Sequence, residues 1–421
     1  MDVEARIGLI RDLCSFEGRL AGTDAERRAA NWLADQLRAQ GRRADVEPTY
    51  VHPQSALVHA AHCAIGVAGS LASIASPPVG FGLVLAVAAS MYLDLNGRAY
   101  LLRRLFYRRA SQNVVSPGPR ADAPARLILS AHYDAPRGGW LFGPPRIRAA
   151  DRLARLLGVP LAPTRILFWS LVLLLPILGA RLAGVDGGGL SLLQLVPTLI
   201  LLAGAFALAE IQLSDPVPGA NDNASGVATA LSLAESLSAA PPRNLDVWIV
   251  LAGAEGSLME GMRAFVRAHR RDLEPAHTFF VNLDSLGAGE LRYVTSEGLA
   301  AGFEMDRGVV ELCGAIAAAG EGAGADPVKP LAWGIAGDGL PLRLARYPGT
   351  TITTTAPGAS VAAGYRRPTD VPDAIDPATL ERAHAFALEL VRQLDREAGR
   401  RAGRGAPPTS KPPERPEAAV I

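Results

Sequence analysis

Cysteine is scarce. The 421 residues hold 3 of them, Cys14, Cys63 and Cys313, far apart and odd in number. That excludes a disulfide framework and a cysteine-rich zinc site, and it fits a reducing compartment. Charge imbalance is also missing. Lys+Arg 42 against Asp+Glu 41 leaves a formal net charge of +1, so no global field argues for nucleic acid as a partner. Low complexity is absent too: Gly 43 and Pro 32 are close to ordinary usage, which excludes a collagen-like chain. What the chain has in excess is apolar sequence, with a mean hydropathy of +0.17, and the excess is local.

Two long apolar stretches carry it. The first covers about 56–93 and is broken by Ser76-Pro77-Pro78; the second covers about 161–211 and is broken over 181–189 by Asp186 and a glycine run. Each half approaches the ~20 residues a helix needs to cross a bilayer. Four such runs exceed what one water-soluble core would bury, so two transmembrane hairpins are expected, at 54–95 and 161–211. Arginines flank them on one side: Arg98, Arg103, Arg104, Arg108 and Arg109 after the first, Arg146, Arg148, Arg152, Arg155 and Arg165 before the second. The turns inside the hairpins offer only Arg181. The positive-inside rule then places the polar bulk and both termini in the cytoplasm, as in a multi-pass protein of a bacterial inner membrane. The opening 42 residues carry charges throughout and are expected to hold no secretory signal.

The remainder alternates strands and helices. Strands are expected at 43–51, 126–131, 245–252, 278–283 and 291–295, and helices at 24–40, 224–239, 258–270, 309–319 and 377–393. That order predicts an α/β fold, a mostly parallel mixed sheet with helices on both faces. It is divided among 1–53, 96–160 and 212–395, with the hairpins as insertions and a disordered tail over 396–421.

Polar residues cluster where the strands end: His132 and Asp134 after the first central strand, Glu255 after the next, Asp284 after the third, and Asp222 at the start of a helix. In open α/β sheets the carboxyl ends of strands border the binding crevice, so these side chains can converge. Singly, each has a plain alternative: a core histidine, a helix cap, a turn residue. Together, one imidazole and two carboxylates suit Zn²⁺ through His132, Asp222 and Asp284. Asp134 then braces the imidazole, and Glu255 is placed as a general base for water.

The stretches Ser130-Ala-His-Tyr-Asp134, Pro218-Gly-Ala-Asn-Asp-Asn-Ala-Ser-Gly226, Gly253-Ala-Glu255 and Asn282-Leu-Asp284 resemble the di-zinc exopeptidases of bacterial leucyl aminopeptidase and aminopeptidase Y, metallopeptidase family 28. Weaker similarity lies at Gly337-Asp-Gly-Leu-Pro341 and over 365–373. The resemblance implies an aminopeptidase-like hydrolase in which Asp222 bridges two zinc ions and His132 and Asp284 complete one of them. The second ion's own ligands, a glutamate and a late histidine, fall at Gly256 and Arg366. One zinc is therefore expected and the second is doubtful, with the Arg366 guanidinium a fixed cation in place of a bound one. Two other readings stay open beside a zinc hydrolase acting on peptide or amino-terminal substrates: an inactive peptidase-like module that binds a partner at the bilayer, and a transport component.

Overall fold

The computed structural model describes residues 1–322, 324 and 326–403. In chain order come α1 (Val3–Cys14), α2 (Asp24–Ala39), β1 (Asp45–Val51), α3 (Ser55–Ala75), α4 (Pro77–Leu95), β2 (Arg109–Ser116), β3 (Ala125–His132), α5 (Pro144–Leu157), α6 (Pro163–Leu182), α7 (Gly188–Leu213) and α8 (Ser225–Ala239). Then follow β4 (Leu245–Ala252), α9 (Glu260–His269), β5 (Thr278–Asp284), β6 (Glu290–Glu297), β7 (Phe303–Glu304), α10 (Arg307–Gly322), β8 (Lys329–Ala332), α11 (Gly339–Leu344), β9 (Gly349–Thr355) and α12 (Pro377–Gly403).

One sheet of nine strands runs β1-β2-β4-β3-β5-β9-β6-β7, with β8 beside β6. Its centre, β4-β3-β5-β9, is parallel, while β1-β2-β4 and β9-β6-β7 pair antiparallel. Of these parallel strands β3, β4 and β5 are nearly continuous apolar runs, as burial on both faces demands: Leu245–Ala252 is buried at every position. One core packs the α1, α2, α8 and α12 stripes against one sheet face, and a second gathers Phe265, Phe280, Trp248 and Leu342 on the other.

Four helices, α3, α4, α6 and α7, are long and apolar enough to cross a membrane. They pack on one another around Leu171, Leu174, Val84 and Leu201, and that cluster continues into Met259 and Leu340 of the α/β body. Helix α4 starts with prolines in its first turn, where a missing N–H costs nothing. Close approach explains the small residues of the hairpins: a Cβ at Gly66 would lie 2.4 Å from Leu171 Cδ2 and one at Gly204 2.2 Å from Leu167 Cδ2. The outward sides remain apolar and exposed, including Leu192, Leu193, Val196, Leu199 and Phe206.

Two departures from the sequence expectation have physical causes. Helix α12 runs through 396–403, where a disordered tail is expected from 396. Ala398 continues the buried stripe of Leu390, Val391 and Leu394, so the helix keeps its packed face. Residues 404–421 lie outside the described residues. Strand β9 is absent from the sequence reading because Gly349-Thr-Thr-Ile-Thr-Thr-Thr355 looks polar. It is wholly buried all the same, since the backbone satisfies its hydroxyls: Thr350 Oγ1 donates to the Val294 carbonyl at 2.6 Å and Thr354 Oγ1 to that of Ser285 at 2.5 Å.

Candidate metal centre

The carboxyl ends of β3, β4 and β5 and the turn before α8 meet at one edge of the sheet. The turn's sequence explains how. The Asn223 carboxamide oxygen accepts the amides of Gly226 (3.1 Å) and Ser285 (2.9 Å), and its NH₂ donates to the Leu283 carbonyl at 2.9 Å. It therefore fixes the residues on either side of Asp284. Ser225 Oγ accepts the Leu286 amide at 2.8 Å. Gly226 has to be glycine, because a Cβ there would fall 2.2 Å from Asn223 Oδ1 and 2.5 Å from the Leu283 carbonyl. The Asn-Asp-Asn-Ala-Ser-Gly stretch is thus a clasp that brings Asp222 to Asp284.

His132, Asp222 and Asp284 offer ligand atoms all within 4.8 Å of one another, and all three side chains are buried. His132 Nε2 lies 3.3 Å from Asp222 Oδ1, and its Nδ1 lies 3.5 Å from Asp134 Oδ1 and 3.2 Å from the Asp134 carbonyl. Asp134 in turn accepts the amides of Glu255 (3.0 Å) and Gly256 (3.1 Å). One carboxylate therefore orients the imidazole and the loop carrying Glu255.

Electrostatics show what the centre lacks. Burial pulls the His132 pKa down, yet Asp134, Asp222 and Glu255 outweigh it and hold the imidazole well above its ordinary range. Burial lifts Asp284 to about 6, opposed by His132. It lifts Glu255 to about 7, opposed by His132 and Arg366. Asp338, fully buried with both oxygens unpartnered, is pushed well up by burial. Carboxylates outnumber cations here, and a nitrogen with two oxygens converging in a dry site is a donor set that suits a divalent ion such as Zn²⁺.

Gly256 and Arg366 border the same two cavities beside this centre. Arg366 makes no ion pair within 4 Å among the described residues, its Nε is without a partner, and its guanidinium lies 5.3 Å from the Phe142 ring centroid and 5.5 Å from that of Tyr365. Against burial, Tyr365, Glu255 and Asp222 act on it through space and hold its pKa above the ordinary value.

Three supports are given no site role by the sequence reading. Arg19 is buried and donates to the carbonyls of Tyr133 (2.8 Å), Pro218 (2.7 Å) and Gly219 (2.8 Å), tying the β3 end to the clasp. Asp370 accepts the amides of Asn221 (2.7 Å) and Asp222 (3.1 Å). Glu26 accepts the amides of Gly22 (2.7 Å) and Ala254 (3.0 Å) and the Ser111 hydroxyl (2.9 Å). Glu26 carries a legible signal of its own, an acid on the apolar stripe of α2 alongside Ala29, Ala30 and Leu33. It holds a strained turn: Ala254 (φ 55), Leu258 (φ 59) and Met259 (φ 57) are left-handed around Glu255, as are Ser285 (φ 56) after Asp284 and Arg366 itself (φ 51).

Burial raises the Glu26 carboxyl to about 8, well above the value of an exposed glutamate. The folded state then holds more protons than the unfolded chain between about pH 4.5 and 8, so this group makes stability fall as pH rises through that window. Glu26→Gln removes the ionisation. Its melting temperature should fall less between pH 6 and 9 than the wild type's, and equal pH slopes in a thermal melt would contradict the assignment.

Among curated proteins none matches the sequence significantly. The model of peptidase family M28 matches residues 207–391. Solved structures share the fold along nearly the whole chain. A Zn-dependent exopeptidase from Parabacteroides distasonis is 13% identical with a TM-score of 0.54, covering 93% of this chain and 98% of its own. A zinc aminopeptidase from Bacillus subtilis is 14% identical with a TM-score of 0.55, covering 93% and 95%. A glutaminyl cyclase from Bacteroides thetaiotaomicron is 16% identical with a TM-score of 0.53, covering 93% and 97%. The family model's stretch, 207–391, contains the Asp222 clasp, the Glu255 turn, Asp284 and the Arg366 loop, and over it the sequence is similar to peptidase family M28.

Proposed function

We propose that this protein is a membrane-anchored zinc hydrolase of amide bonds, aminopeptidase-like, with one metal held by His132, Asp222 and Asp284. The observation that carries the reading is the convergence of those three buried donors beside Glu255 at one sheet edge. Bound there, zinc would polarise a carbonyl and acidify water. The chain's own part is then plain. Glu255, whose pKa burial raises to about 7, takes in its ionised form the proton of the attacking water and passes it to the leaving nitrogen, while hydroxyl goes to the acyl carbon. Asp134 holds the Glu255 and Gly256 amides and fixes the imidazole, so base and ligand share one brace. Helices α3, α4, α6 and α7 anchor the domain in the bilayer.

Elemental analysis of the purified protein, joined to a panel of aminoacyl and peptidyl amides, tests this directly. About one zinc per chain and chelator-sensitive cleavage are expected. A chain without zinc and without cleavage would favour the second reading, a peptidase-like binding module, which Gly256 and Arg366 at the second-ion positions support. Topology is a separate expectation. Alkaline phosphatase, active only outside the cytoplasm, should be silent when fused to the C-terminus; strong activity there would reverse the orientation taken from the arginine-rich flanks.

A further inference from the structure

Three cavities beside the centre share walls, the first with the second and the second with the third. The first, of about 100 Å³, is lined by Arg109, Arg137 and Arg366 with Tyr107, and its one carboxylate, Asp134, is already committed to two amides. The second, of about 130 Å³, holds Glu255 and shares Gly256, Arg366, Ser55 and Ile211 with the first. The third, of about 380 Å³, shares Phe142, Pro163, Ile335 and Tyr365 with the second. It continues between α6 and α7 along Ile166, Leu167, Ile200, Ala203 and Ala207, on the apolar helices. Helix α5, with Arg146, Arg148, Arg152 and Arg155 on it and Leu153, Leu156 and Leu157 exposed, lies along this opening. Such a helix suits the lipid headgroup level.

The track is therefore polar and cationic at one end, carries the general base in the middle, and is apolar and open toward bilayer depth at the other. We infer that it binds a single-chain amphiphile: an acyl chain in the α6–α7 groove, joined by an amide beside Glu255 to a carboxylate-bearing head in the arginine chamber. The site rests on the proposed amide-hydrolase reading for its scissile bond, but not for its binding. Three guanidiniums are a poor seat for an ammonium terminus and a good one for a carboxylate. The small side chains of Ala203 and Ala207, with Gly204 between them, leave the groove open where Leu or Phe would fill it. Its apolar lining turns toward the face a bilayer would cover, so a chain already dissolved in lipid reaches it without crossing water.

Full-length protein in phosphatidylcholine nanodiscs, with and without chelator, should be titrated with N-acylglycines of 2, 8, 12 and 16 carbons, with empty nanodiscs subtracted. Each methylene buried in the groove should tighten binding by about fourfold until the chain outgrows it. Ala207→Trp should abolish that dependence, and Ala203→Phe is the second plug should the first fail to fold. The methyl ester of dodecanoylglycine should bind at least tenfold more weakly than the acid, and Arg366→Gln should erase that difference. Equal chain-length dependence in plugged and unplugged protein overturns the inference. So does an ester that binds as tightly as the acid, or a phospholipid that stays in the groove and excludes every acylglycine. Cleavage of short peptides without chain-length dependence would sink this inference and leave the hydrolase standing. Chain-dependent binding without cleavage would do the reverse.

Discussion

His132→Ala should strip the purified protein of zinc, to under a tenth of the wild-type content, and abolish amide hydrolysis. The imidazole is the only nitrogen among the three converging donors, and two buried carboxylates without it make a poor zinc site. Metal in thousandfold excess over its Kd adds ~4 kcal/mol to the folded state, and the variant forfeits that. It also loses the imidazole that lies beside Asp222 and Asp134. The pH dependence should then invert. Wild type with zinc weakens toward acid, because its ligands must stay deprotonated to hold the ion. The variant keeps Asp284, already lifted to about 6 by burial with His132 opposing, and without that opposition its pKa climbs further. A carboxyl with a raised pKa stabilises the fold when protonated, so His132→Ala should melt higher at pH 5.5 than at pH 8. Asp284→Asn should lose zinc equally with less harm to the fold. Wild-type zinc content in either variant would remove His132 and Asp284 from the ligand set.

Much of this centre could be read before any coordinates, for a physical reason. Strands β3, β4 and β5 are nearly continuous apolar runs, and the polar residues at or just past their carboxyl ends, His132, Glu255 and Asp284, stand together because parallel strands end on the same side of the sheet. The four apolar helices were legible because length and hydropathy alone define them. Other features depend on partners distant in sequence. Nothing beside Arg19 in the sequence marks it as buried, because its partners are three carbonyls up to 200 residues away. Strand β9 hides behind its threonines. Asp338 falls in a stretch only weakly similar to the family, and nothing local marks it as buried with both oxygens unpartnered. As a fixed cation in place of a bound one, Arg366 is expected to offset the charge of Asp222 and Glu255 at close range. Its left-handed backbone and the rings of Phe142 and Tyr365 instead hold the guanidinium off, without contact to Asp222 or Glu255.

That geometry sets the second large expectation. Arg366→Ala alone should cost about 1–2 kcal/mol, less than the ~3–5 kcal/mol of a buried pair broken at contact, because no carboxylate loses a hydrogen-bonded partner. Gly256→Glu alone should cost more. A Cβ there sits 3.6 Å from Asp134 Oδ2, ordinary contact, so the position has room. The new carboxylate, however, joins Asp134 and Glu255 with no ion to hold it. Combining Gly256→Glu with Arg366→His changes the balance, because a glutamate and an imidazole then border one cavity of about 130 Å³ together with Glu255. Histidine also accepts the left-handed backbone at 366 (φ 51) better than most residues. The pair should be more stable than the sum of the singles by ~1–3 kcal/mol and should raise zinc from one to two ions per chain. Thermal melts of the four proteins with added zinc, and elemental analysis of each, supply the cycle. If the effects add and zinc stays at one, the two positions do not face a common metal, and Gly256 and Arg366 are unrelated changes in the same cleft.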